Sequence, residues 1–120
     1  MATEAQTQEN ELEKLLKDYQ VLQEQLRSMA LQVEQLQSQK MDMERAKEEL
    51  DKATGKVYIS VGGVIVETAK DKALAEIKDR SALNETRFQS ANKTYADLRG
   101  REKLLNERIT KLYRHAQGMA

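Results

Sequence analysis

The chain has 120 residues, of which 33% are charged, 39% hydrophobic and only 4% aromatic, and its mean hydropathy is −0.77. So polar a composition with so few large side chains excludes a compact globular core, while regularly spaced Leu, Val and Met exclude simple disorder. Twenty Lys/Arg balance twenty Asp/Glu, which argues against nucleic-acid binding through overall charge, and the absence of cysteine removes disulfide and thiolate–metal chemistry.

Residues 1–10 are polar and lack the apolar core of a secretory signal, so an unstructured N-terminus is expected there. No apolar run approaches the roughly 18 residues of a membrane span, so the expectation is a soluble, cytoplasmic protein without membrane contact.

The first predicted helix covers 11–54. Placing Leu12 at heptad position a puts Leu12, Tyr19, Leu26, Val33, Lys40 and Lys47 at a and Leu15, Leu22, Met29, Leu36, Met43 and Leu50 at d. A sustained repeat of 3.5 residues predicts a coiled-coil seam. Proline, which costs ~3 kcal/mol inside a helix, is absent. Lys40 and Lys47 break the pattern; they either exclude slipped pairings at a cost in stability or loosen the helix locally. The helix is expected to stop at Thr54-Gly55, with Gly55 supplying a left-handed terminator.

Over 55–69 the period changes from 3.5 to 2. Val57, Ile59 and Val61 alternate with Tyr58 and Ser60, then Gly62-Gly63 precede Val64, Ile65, Val66, Glu67 and Thr68. β-Branched residues on both sides of Gly-Gly predict a β-hairpin with a two-residue turn at positive φ. Pairing Val61 with Val64 puts Val57, Ile59, Val61, Val64, Val66 and Thr68 on one face, and Tyr58, Ser60, Ile65 and Glu67 on the other.

The second predicted helix, 70–114, carries a weaker seam: Leu74, Ile77, Ser81, Asn84, Phe88, Ala91, Tyr95, Leu98, Glu102, Leu105, Ile109 and Leu112. Asp71 is a candidate N-cap. Residues 115–120 are expected to be flexible.

The two seams match each other. Twelve pairs, from Leu12 with Leu112 to Leu50 with Leu74, have residue numbers adding to 124, and polar Lys40 falls opposite polar Asn84. Residues 1–54 carry a net charge of −5 and residues 70–120 a net of +5, so the arms attract each other and identical first arms repel. The predicted fold class is mainly α: a long antiparallel intramolecular coiled coil, or helical hairpin, with the β-hairpin between its helices.

A two-stranded hairpin is marginal alone in water, and this one has an apolar face and two unpaired edges. The residues therefore predict assembly through Val57, Tyr58, Ile59, Val61, Gly62, Gly63, Val64, Ile65 and Val66. The alternative is a hairpin that only caps the helix turn, its valines covered by the neighbouring helix ends.

The segment Thr54-Gly55-Lys56-Val57-Tyr58-Ile59-Ser60-Val61-Gly62-Gly63-Val64-Ile65-Val66-Glu67-Thr68 between two heptad arms resembles the β-class subunits of prefoldin, and most closely their eukaryotic branch. The architecture matches over nearly the whole chain, the specific motif over about a dozen residues. The resemblance implies a heterohexameric holdase of α-type and β-type subunits whose hairpins form β-barrels. It also implies unfolded clients such as actin and tubulin, delivery to the group II chaperonin of the cytosol without ATP, and client binding at the distal ends of the arms. Here those ends carry Leu12, Leu15, Leu16, Leu104, Leu105, Ile109, Leu112 and Tyr113. Leu16, Leu104 and Tyr113 lie outside the seam and widen its apolar stripe. The competing reading is a coiled-coil spacer or tether that docks one folded partner through its hairpin.

No catalytic or metal site is expected, and no cofactor. His115, the single histidine, has no partner suited to chemistry, and Glu48, Glu49 and Asp51 read as a solvated acidic face. Gly55, Gly62 and Gly63 lack the spacing and the Lys-Ser/Thr pair of a phosphate loop.

Overall fold

The computed structural model describes residues 3–118. Helix α1 runs Glu4–Lys52, strand β1 Val57–Val61, strand β2 Val64–Thr68 and helix α2 Lys70–Ala116.

Helix α1 starts seven residues before the expected position, so residues 4–10 are helical and not unstructured; Met1 and Ala2 lie outside the described residues. The cause is local. Gln6 N–H donates to Thr3 Oγ1 at 3.2 Å while Thr3 N–H donates to Gln6 Oε1 at 3.1 Å, so each otherwise unpaired backbone donor is accepted by the other residue's side chain. Its other end also differs. Gly55 is not left-handed; positive φ among the described glycines occurs at Gly62, Gly63 and Gly118. Lys70 instead donates from Nζ to the carbonyls of Asp51 at 3.0 Å and Ala53 at 3.3 Å, oxygens that a helix end leaves without N–H partners. The left-handed glycine is at the end of α2, where Gly118 has φ +73° and donates to the His115 carbonyl at 3.0 Å. Met119 and Ala120, expected flexible, lie outside the described residues. Asp71 is not the N-cap of α2: Ala73 N–H bonds back to the Ala69 carbonyl, so Asp71 sits in the first turn, where its charge still favours the helix dipole.

The described residues form two compact units, residues 3–31 with 92–118 and residues 32–91. In the first, Leu22, Leu26 and Leu98 make a buried cluster with Met29, Tyr95 and Leu105 packed against it. Glu102 enters this seam because Gln23 Nε2 donates to one of its oxygens and Arg99 Nη1 lies 3.4 Å from the other. Burying a leucine stabilises by about 1.5–3 kcal/mol, so three leucines dominate this stretch.

In the second unit the paired residues Met43 and Ser81 touch, Ser81 Oγ lying 3.5 Å from Met43 Sδ. Asn84 is only 4% exposed and donates from Nδ2 to the Leu36 carbonyl at 3.1 Å. Lys40 does not bond Asn84. Its Nζ pairs with Glu85 at 3.6 Å and lies 5.9 Å from the centre of the Phe88 ring. Lys47 is not in the seam: it is exposed, and Ala46 is half-buried in its place. Met43 before it and Leu50 after it keep their half-buried heptad places, so the change is local: small Ala46 turns inward while the Lys47 ammonium stays in water, where burial would cost it its hydration.

Gly100, exposed within α2, has no atom within 4 Å of where a Cβ would stand. Gly100→Ala is therefore expected to stabilise the chain by about 0.5–1 kcal/mol, read as a higher thermal midpoint in circular dichroism.

Candidate functional site

Two surfaces answer to the sequence expectations: the hairpin, and the part of the first unit where the ends of α1 and α2 pack.

The hairpin register is Val57↔Thr68, Tyr58↔Glu67, Ile59↔Val66, Ser60↔Ile65 and Val61↔Val64, across Gly62 (φ +55°) and Gly63 (φ +82°). Positive φ at both turn residues lets the turn follow the right-handed twist of the strands. Side chains alternate as the pairing requires, but burial does not follow faces alone. Val57 is buried, and Ile59 and Thr68 are half-buried, whereas Val61, Val64 and Val66 further along the same face are exposed. The opposite face adds Tyr58 and Ile65, which at 74% is the most exposed large apolar side chain among the described residues. The neighbouring helices therefore do not cover the valines beyond Val57. A small sheet with apolar side chains open on both faces is a surface that gains from being covered.

In the first unit the named residues divide. Leu15 is buried, and Leu12, Leu105, Ile109 and Leu112 are half-buried in the seam. Leu16, Leu104 and Tyr113 are exposed, as their off-seam positions require. They do not form one patch. An open groove is lined by Leu15, Leu104 and Leu112 with Glu11, Arg108 and Lys111 at its margins, and Leu16 and Tyr113 are not part of it. A second groove shares Leu15, Leu104 and Arg108 and adds Val21, which is 56% exposed. Sequence reasoning missed Val21 because a lone apolar residue outside the seam is ordinary on a helix. Its signal was its place on the same flank as Leu104, which only the pairing of the helices shows. Arg108 Nη2 lies 3.7 Å from Glu11 Oε1 across the first groove. His115 is exposed at its end.

Among the described residues no group of His, Asp or Glu could hold a metal ion, and no helix is long and apolar enough to cross a membrane. The hairpin offers apolar area and unpaired strand edges, and the grooves of the first unit offer apolar area, both suited to binding protein.

A family model described as "Prefoldin subunit" matches residues 13–117. The prefoldin subunit beta of Methanosarcina acetivorans is 32% identical over 92 residues, 75% of this chain and 79% of that protein. The prefoldin subunit beta of Thermococcus kodakarensis is 35% identical over 89 residues, covering 70% of each. The crystal structure of the prefoldin beta subunit from Thermococcus strain KS-1 matches with a TM-score of 0.77 at 27% identity, covering 84% of this chain and 90% of that one.

Proposed function

Because the chain belongs to the prefoldin family as a β-type subunit, we propose that it works in a heterohexamer of α-type and β-type subunits in the cytoplasm. It is a chaperone subunit that assembles with other prefoldin subunits, and not an enzyme. In the proposed complex its hairpin joins a shared β-barrel. The ends of its helices hold unfolded chains, actin and tubulin among them, and pass them to the group II chaperonin without ATP.

The observation that carries this reading is the hairpin: Tyr58, Val61, Val64, Ile65 and Val66 are 45–74% exposed on a sheet of only two strands. Barrel formation would cover those side chains and pair both edges. Capture needs no bond-making step, because apolar surface in the first unit, at Leu104, Val21, Leu16 and Tyr113, can cover apolar segments of a non-native chain.

The test is co-expression with an α-type subunit, native mass measurement, and dilution of denatured actin into the purified complex without nucleotide. A hexamer that suppresses light scattering at near-stoichiometric ratio is expected. A chain that forms no mixed species, or suppression that requires ATP, would overturn the reading.

A further inference from the structure

The two free edges of the hairpin are not equivalent. Residues flanking a two-residue turn, here Val61 and Val64, form a hydrogen-bonded pair, and such pairs alternate along an antiparallel ladder. Ile59–Val66 and Val57–Thr68 therefore also bond inward. Tyr58 and Ser60 on β1, and Ile65 and Glu67 on β2, turn their backbone N–H and C=O groups outward.

On the β1 edge one of these groups is taken. Arg80 of α2 donates from Nη2 to the Ser60 carbonyl at 3.3 Å. Glu76, one turn earlier, holds the Nε of the same guanidinium at 2.9 Å. The arginine is thus anchored at its base while its far end lies on the strand. Among the described residues no side chain hydrogen-bonds the outward groups of Ile65 or Glu67. β2 also carries Val64, Ile65 and Val66, exposed at 61%, 74% and 45%, so a strand laid beside it would find apolar contacts on both faces.

We propose that Arg80 guards β1 and leaves β2 as the edge to which a strand adds first, its occupant being an extended strand from the hairpin of another subunit. This rests on the reading of the hairpin as the assembly element. The guard has a physical purpose. Pairing β2 of one chain with β1 of the next is head-to-tail and can repeat without closing, whereas pairing β2 with β2 ends at two chains. A guanidinium on the Ser60 carbonyl competes with an incoming N–H for that oxygen, so open-ended stacking of identical chains is weakened until a partner displaces it.

The test is sedimentation of the full-length chain over a range of concentrations. Arg80→Gln is compared with Arg87→Gln, which removes the same charge from an exposed position on the same helix. Arg80→Gln is expected to self-associate at a concentration roughly threefold lower or less, into species that grow beyond dimers. Adding Ile65→Pro, which removes an outward N–H from β2 without costing a ladder bond, should return it to the control. Should that proline disrupt the hairpin, amide exchange of the unmodified chain decides. On mixing with an α-type subunit, protection at Ile65 and Glu67 is expected before protection at Tyr58 and Ser60. Equal association of the two glutamine variants, or earlier protection on β1, overturns the guard alone. A chain that does not assemble with an α-type subunit at all overturns the reading of the hairpin, and the guard with it.

Discussion

Replacing Val61 and Val64 together with aspartate is expected to abolish assembly with an α-type subunit while leaving both helices folded. The two valines are 52% and 61% exposed in the isolated chain, so carboxylates there stay in water and the free subunit loses little. They are also direct cross-strand neighbours, so two like charges face each other at the end of the ladder and repel modestly. Assembly changes the balance. Once a barrel covers this face, each carboxylate loses its water without gaining a cation, a cost of several kcal/mol per ion. A loss of at least ~1,000-fold in mixed-species formation is therefore expected, since every 1.4 kcal/mol is tenfold. The paired change to threonine keeps the β-branched shape and should weaken assembly only modestly. Native mass measurement reads the complex and circular dichroism reads the helices. Normal assembly of the aspartate variant would refute the hairpin's role.

The second large effect is expected at the ends of the helices. Changing Leu16, Val21, Leu104 and Tyr113 to serine should lower the affinity of the assembled complex for unfolded actin by roughly ten- to a hundredfold, because each truncation removes apolar area that a client would cover. All four are 47–63% exposed, so each change should alter the stability of the free chain by about 0.5 kcal/mol or less. Assembly, which uses the hairpin, should be unaffected. The grooves allow a sharper division: Val21 and Leu104 share one, whereas Leu16 and Tyr113 line neither. If the grooves hold the client, the Val21/Leu104 pair should account for most of the loss. Light scattering of diluted denatured actin measures this, and undiminished suppression by the fourfold variant would eliminate the assignment.

Much of the architecture was legible because its signals are periodic. Twelve positions read as the seam of α2 are all buried or half-buried, and so are eleven of the twelve read for α1. Lys47 is the exception, since an ammonium gains by staying in water and small Ala46 beside it takes the half-buried place, a choice that a heptad count does not weigh. The hairpin register follows from Gly62-Gly63 and the alternation around them, both local. The early start of α1 was legible too, in the Thr3–Gln6 spacing of a capping box, but composition alone made residues 1–10 look unstructured.

Of the candidate site, the exposed hairpin valines and the off-seam Leu16, Leu104 and Tyr113 could be named from position, since departing from a seam or lying far along a strand already implies exposure. Which of them share a groove could not. That depends on which flank of α1 meets which flank of α2, and the meeting brings Val21 beside Leu104.

The order of elements, the seams and the turn are encoded locally, because heptads, β-branched alternation and paired glycines act over a few residues. Tertiary structure decided how the ends and edges are satisfied. Lys70 closes the end of α1 from 17 to 19 residues away in place of Gly55, and Arg80 reaches Ser60 across 20. A free carbonyl can accept from any donor that the fold brings within reach, and no local spacing says which side chain that will be.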